Sequence, residues 1–295
     1  MSTVVTVGSF DGVHRGHQAV LAELVAQARV RGLVSVAIAL DPHPLEIVNP
    51  PAAPRLLTLR EEKAELLRAT GVDRIEFLAF TPELARLAPE EFTRAVLLGR
   101  FGMRELVLGH DHGFGRNRAG DVELMRTLGQ DAGFGVDVVP PVRDDGQPVS
   151  STLIRAALAH GDLRDAERWL GRPYGLRSQV ERGEGRGRQI GVPTLNLSRP
   201  DTRKLLPPDG VYAVWVWWRN ARYGGMMNQG PRPTFGLADP GLEVHVFDFD
   251  RDLYGETVTV EWARRLRDVQ RFPSREALVA QLARDADAAR AALTR

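Results

Sequence analysis

Five short apolar runs in the first half of the chain each give way to a helical stripe, and this alternation constrains the fold more than any other feature. The runs span residues 4–7, 33–40, 74–80, 105–109 and 136–139. Residues 18–31 carry Val20, Leu21, Leu24, Val25 and Ala28 on one helical face, and Gly32 stops that helix. Thr58-Leu59-Arg60-Glu61 reads as a capping box opening a helix that Gly71 closes. Residues 89–101, with Pro89 in the favoured first turn, and 121–132 read as further helices. Strands alternating with helices predict a doubly wound, parallel α/β sheet, which binds ligands beyond the carboxyl ends of its strands.

The first strand–helix junction carries the densest chemistry. Val4-Val5-Thr6-Val7 ends at Gly8, a turn built from Gly8, Asp11 and Gly12 follows, and His14-Arg15-Gly16-His17 leads into the helix. On a first helical turn the two imidazoles share a face, beside N–H groups with no partner in the helix. Free amides, the positive end of the helix dipole and two imidazole donors suit a phosphate. Three further segments follow strand ends. Asp41-Pro42-His43-Pro44 holds two prolines that end regular structure. The run from Gly109 to Gly115 places Asp111 between His110 and His112; it reads either as a metal cluster or as a loop folding over a flat ligand. Ser150-Ser151-Thr152-Leu153-Ile154-Arg155 puts two serine hydroxyls at a helix start with Arg155 one turn in, a second phosphate cradle.

Pro173-Tyr174-Gly175 breaks the helical texture, so the expected domains are 1–172 and 173–295. Beyond the break, short runs at 176–182, 192–197, 211–218, 223–228, 242–249 and 257–262 are separated by Gly, Pro, Asn and Asp. They predict a small antiparallel β-barrel, closed by a helix over 275–293 that Ser274 caps. Leu278, Leu282, Ala286, Ala289 and Leu293 are its packing stripe. The tract from Arg182 to Arg188 has an RGG-like look, yet it is short and runs straight into a strand; a glycine-rich loop bringing backbone amides to a phosphate fits better. Thr194 and Asn196, two apart on a strand, share a face and can complete the oxygen shell of a Mg²⁺ that also binds phosphates and water. Alternation sets Glu243 and His245 opposite Leu242, Val244 and Val246; on those residues alone Glu243 reads as a carboxylate on a solvated strand face.

An HxGH directly after an N-terminal strand resembles the nucleotidyltransferase superfamily, which attacks the α-phosphate of ATP. Together with DPHP, the 109–115 loop and SSTLIR, it resembles the adenylyltransferase half of prokaryotic FAD synthetases. That resemblance implies a Rossmann-like nucleotidyltransferase domain. It implies ATP contacts from Gly8, Phe10, Asp11, His14, His17, Ser151, Thr152 and Arg155, with His14, His17 and Arg155 acting on the phosphates. His43 and Asp111 would line the flavin site. The second half is similar to riboflavin kinase through Gly183, Gly185, Arg188, Pro193-Thr194-Leu195-Asn196, Gly210-Val211-Tyr212, Asn228 and Glu243-Val244-His245. There Gly183, Gly185 and Arg188 would meet ATP, Thr194 and Asn196 would hold Mg-ATP, and Glu243 would be the base. The order of the halves resembles the bifunctional riboflavin kinase/FMN adenylyltransferase family, with FMN and FAD as substrate and product. Two alternatives are an HxGH adenylyltransferase of other specificity and a flavin-binding regulatory protein. Leu40, His112, Ser178 and Gln229 depart from the family pattern, and the last three leave room for the regulatory alternative; the Pro193–Asn196 and Glu243 segments argue against the other.

Composition narrows the partners. A formal net charge of +1 gives no global field toward nucleic acid or membrane. Absence of cysteine excludes disulfides, thiol catalysis and cysteine-based metal sites. No leader-like N-terminus and no membrane-length apolar run is present, so the expectation is a cytoplasmic protein working on small molecules, with no obligate protein partner.

Overall fold

The computed structural model describes residues 2–110, 120–183, 187, 191–232 and 237–294, with backbone alone at 232 and 237–240. The chain forms two compact units, Met1–Leu153 and Ile154–Arg295. In the first, β1 (Thr3–Gly8), β2 (Val34–Asp41), β3 (Arg74–Ala79), β4 (Met103–Gly109) and β5 (Gly135–Val139) form a parallel sheet ordered β3-β2-β1-β4-β5. The order reverses between β1 and β4, so a crevice opens beyond the carboxyl ends of those two strands. Both faces of the sheet are covered. Val4, Ala37, Ala39 and Val107 pack with α1 (Arg15–Arg31) and Leu67 of α3 (Arg60–Arg68). Val5, Ile38, Leu106 and Leu108 pack with Phe92, Leu97, Met125 and Leu128 on the other side. Burial on both faces is why these strands read as continuous apolar runs.

Helix boundaries depart from expectation where side chains are recruited elsewhere. His14 is the N-cap of α1 and stands outside its first turn. Pro44 does not end structure but begins a short helix, α2 (Pro44–Val48), which His43 caps, because proline suits a first helical position. Thr58 does not cap α3; Leu59 occupies that position, and its N–H donates to Glu62 Oε2 at 2.8 Å. After α4 (Pro82–Arg86), α5 (Pro89–Phe92) runs into a wide, π-type turn over Thr93–Arg100. Next come α6 (Val122–Ala132), a two-residue hairpin β6 (Arg143–Asp144) and β7 (Gln147–Pro148), and α7 (Ser151–His160), which passes from one unit into the next.

The second unit continues with α8 (Leu163–Leu170) and a closed antiparallel barrel. Its strands are β8 (Tyr174–Glu181), β9 (Leu195–Leu197), β10 (Gly210–Trp218), β11 (Ala221–Arg232), β12 (Leu237–Val246) and β13 (Thr257–Arg267). They close in the order β10-β11-β12-β9-β8-β13, so each strand pairs with a neighbour on both sides. Alternation sorts the side chains: Tyr174, Leu176, Ser178 and Val180 are buried, while Arg177, Gln179 and Glu181 are exposed. Strand β9 is shorter than its apolar run, because Pro193 has no N–H to give the ladder. Helix α9 (Arg275–Leu293), capped by Ser274, packs Leu282, Ala286, Ala289 and Leu293 against Ala213, Met226 and Phe247.

The two unusual barrel residues have structural work. Gln229 accepts from Trp262 Nε1 at 3.1 Å and donates to the Pro207 carbonyl, so this buried amide satisfies an indole that an aliphatic residue would leave unpaired. Ser178 donates to the Ser198 carbonyl at 3.1 Å, tying β8 to the end of β9.

Candidate active sites of the two units

In the first unit the turn after β1 is folded by strain and by outside ties. Phe10 and Val13 are non-glycine residues with positive φ, 47° and 39°, and Gly12 has φ 84°. Such backbone costs of order 1 kcal/mol or more per residue and persists only when its surroundings impose it. Here segment 57–63 imposes it. Asp11 Oδ2 accepts from Leu57 N at 3.0 Å, and Asp11 Oδ1 accepts from Thr58 N at 3.0 Å. Gly12 N donates to Thr58 Oγ1 at 3.0 Å, and Lys63 Nζ donates to the Ser9 carbonyl at 2.7 Å. The fully buried Asp11 carboxylate thus holds a loop rather than facing the crevice.

This turn delivers the histidines. His14 Nδ1 accepts from His17 N at 3.4 Å, so its remaining proton sits on Nε2. The two rings stack with centroids 3.7 Å apart and 22° between planes, and Phe10 meets His17 edge-on at 5.4 Å. Gly16 lets the ring sit close: a Cβ would lie 3.1 Å from the His14 ring, which would have to give by a few tenths of an ångström. The start of α7 joins the same place. Ser150 caps it by accepting from Leu153 N at 3.3 Å, while Ser151 Oγ donates to the Asp11 carbonyl at 2.9 Å. Two helix N-termini therefore meet beside the carboxyl end of β1, and their first-turn amides and dipoles favour an anion. Thr152 is exposed on that first turn, and Arg155 follows one turn along α7, past the division between the units. Gly8 ends β1 with the Phe10 ring packed over it. His43 lies at the end of β2, where its Nδ1 accepts from Leu45 N at 3.3 Å. Asp111 lies outside the described residues.

In the second unit, the barrel register gathers the polar residues into one row. Asn196 pairs with Glu243, Glu243 with Asn228, and Asn196 with Glu181. Directly opposed residues of antiparallel strands project to one face, so these four side chains share the outer face, with Leu242, Val244 and Val246 turned inward. His245, on the same face, hydrogen-bonds the Pro193 carbonyl through Nδ1 at 2.7 Å and so fixes the chain entering Thr194. Glycines make the approach close. A Cβ on Gly183 would overlap the Asn196 side chain, and one on Gly187 would overlap the Val192 carbonyl with Thr194 Oγ1 3.3 Å away. A hydroxyl, an amide oxygen and a carboxylate beside a glycine cradle are hard oxygen donors, a set that fits Mg²⁺ carried with phosphates. Gly185 and Arg188 lie outside the described residues.

Thr58 and Lys63 carry no functional signature in the sequence pattern. The one available signal was for Lys63: of 39 lysines and arginines, only Lys63 and Lys204 are lysine.

The comparisons with known proteins agree in both halves. The FAD synthetase family model matches residues 1–153, and the riboflavin kinase family model matches residues 170–293. A bifunctional riboflavin kinase/FMN adenylyltransferase of Pseudomonas fluorescens is 41% identical over 289 residues, covering 98% of this chain and 92% of that protein. One of Bacillus subtilis (strain 168) is 32% identical over 287 residues, covering 96% of this chain and 90% of that protein. A solved structure described as a macrolide-efflux protein from Streptococcus pneumoniae superposes with a TM-score of 0.87 at 34% identity, covering 98% of this chain and 94% of that one. Among the described residues here, no helix is long and apolar enough to cross a membrane. With both family models matched in sequence order and relatives aligned over nearly the whole chain, the chain belongs to the bifunctional riboflavin kinase/FMN adenylyltransferase family.

Proposed function

We propose that residues 173–295 transfer the γ-phosphoryl group of ATP to the 5′-hydroxyl of riboflavin. Residues 1–172 then join the FMN to the AMP part of a second ATP and release pyrophosphate. The observation that carries this reading is that each unit gathers its own set of groups suited to phosphate. One is the pair of helix N-termini tied by Ser151 and Asp11; the other is the row of Asn196 and Glu243, which Gly183 approaches closely because it has no side chain.

In the barrel, Glu243 takes the hydroxyl proton as the oxygen attacks the γ-phosphorus and ADP leaves. Thr194 and Asn196 hold Mg²⁺, which spreads the charge of the transferring group when bound. Gly183, Gly185 and Arg188 line the ATP phosphates. Glu243 lies in register with Asn196, so base and metal-holding group belong to one rigid ladder. In the sheet unit the nucleophile is an FMN phosphate oxygen, already ionised, so no protein base is needed. The work there is positioning and charge stabilisation at the α-phosphate. His14 donates from Nε2, and His17 and Arg155 meet the other phosphate oxygens. Gly8, Phe10 and the first-turn amides of Ser151 and Thr152 complete the cradle, Asp11 holds it in shape, and His43 and Asp111 line the flavin. ATP, riboflavin and FMN are the partners this chemistry requires, and the cytoplasm is the compartment it implies.

Crossed variants test the assignment. His17→Ala is expected to abolish FAD formation and leave FMN formation nearly intact. Glu243→Gln is expected to stop FMN formation while added FMN is still converted to FAD. Either substitution removing both activities from a folded chain would overturn the two-site reading.

A further inference from the structure

We propose that Lys63 is the positioning residue of adenylyl transfer, aiming a backbone amide of the β1–α1 turn at the nucleotide phosphates. This rests on the assignment of the sheet-unit crevice to FMN adenylylation. In a chain whose other side-chain cations are all arginine apart from Lys204, Lys63 is only 4% exposed. Its Nζ reaches across 54 residues to the Ser9 carbonyl at 2.7 Å. Burying an ammonium is costly, so its partner is a strong structural constraint.

The constraint has a direction. A trans peptide is planar, and its C=O and the following N–H point opposite ways. Drawing the Ser9 carbonyl onto Lys63, in the first turn of α3, turns the Phe10 N–H away from α3, within the turn that follows the carboxyl end of β1. The positive φ of Phe10 is the strained backbone that this orientation demands. The neighbouring ties act in the same sense, since Thr58 fixes Gly12 while Asp11 grips Leu57 and Thr58. Segment 57–63 is thus a strut holding the inner side of the turn while its outer amides face the phosphates. Lysine suits the position because a compact ammonium gives directed bonds within a closed pocket, where the broad guanidinium fork of arginine does not fit as readily.

Unfolding midpoints of the sheet unit report whether each variant folds, and the second active site of the same chain reports the amount of active protein. Lys63→Met keeps an unbranched side chain as far as Cε and removes the donor. It is expected to lower kcat for FAD formation from FMN about 100-fold, the scale of losing one preorganised donor, with KM for FMN changed less than about twofold. Riboflavin phosphorylation by the same preparation is expected to be unchanged. Lys63→Ala, assayed with and without propylammonium in the cavity left behind, is expected to regain FAD formation about tenfold with the amine. A Lys63→Met chain that makes FAD within about threefold of the parent rate overturns the inference. So does a Lys63→Ala chain, still active as a kinase, that propylammonium does not restore, and so does a loss shared equally by both steps. A parent chain that makes no FAD overturns the adenylylation reading itself, and this inference with it.

Discussion

Asn196 and Glu243 stand directly opposite each other on β9 and β12, so the residue read as a metal-holding group and the residue read as the base project from one ladder to one face. Asn228 and Glu181 extend the row on either side. Asn196→Ala removes an oxygen donor and leaves the carboxylate in place. FMN formation is expected to fall at least about tenfold at limiting Mg²⁺ and to recover in part at high Mg²⁺, with FAD formation from added FMN unchanged. A Mg²⁺ titration of both steps measures this.

The Gln229–Trp262 pair makes a stability prediction with an internal check. Gln229→Leu strands the buried indole N–H of Trp262 and is expected to cost roughly 1–3 kcal/mol. Replacing both residues, Gln229→Leu with Trp262→Phe, removes donor and acceptor together and is expected to cost less than the two single changes combined. A double-mutant cycle by thermal unfolding gives the coupling.

The latch between α9 and the barrel is an ion pair. Arg267 meets Asp285 through Nε at 3.0 Å and Nη2 at 2.7 Å, with side chains 15% and 4% exposed, and Gln281 donates to the same carboxylate at 2.8 Å. Asp285→Ala leaves a guanidinium poorly matched in a closed site, and loss of about 3–5 kcal/mol is the usual scale for breaking such a pair. On heating the full chain, kinase activity is expected to disappear at a lower temperature than in the parent, with the adenylyl step little changed.

Asp73 supplies a pH effect. Donation from the Ser35 hydroxyl at 2.6 Å, and then from its N–H at 2.9 Å, holds the carboxyl below its ordinary value of 3.8. A carboxylate whose pKa is lowered on folding stabilises above its unfolded pKa and loses that contribution as pH falls through the folded value. Stability of the sheet unit is therefore expected to decline from about pH 4 downward, and Asp73→Asn to flatten that decline. Unfolding midpoints between neutral and acid pH measure it.

The sheet was legible because strands buried on both faces write continuous apolar runs and helices write 3.6-residue stripes. Thr6, Ile38, Phe77 and Leu108 all lie in strands expected from pattern alone. The Gly16 spacer and the two histidines were legible too, although His14 caps α1 instead of entering its first turn. What pattern did not reveal is long-range recruitment. Thr58 looks like a cap by spacing, and its hydroxyl is spent on Gly12 and Asp11, 46 and 47 residues away. Gln229 looks like a misfit until Trp262 is seen beside it. The barrel's closing order, with β9 between β12 and β8, is likewise a set of distant pairings that no local period encodes.

A chain with both sites makes FMN and then consumes it. A time course of products from riboflavin, ATP and Mg²⁺, separated by chromatography, reads that order without any substitution. FMN is expected to rise first, with FAD following as FMN accumulates. FAD absent while FMN accumulates, or no FMN from riboflavin at all, would contradict the two-site reading.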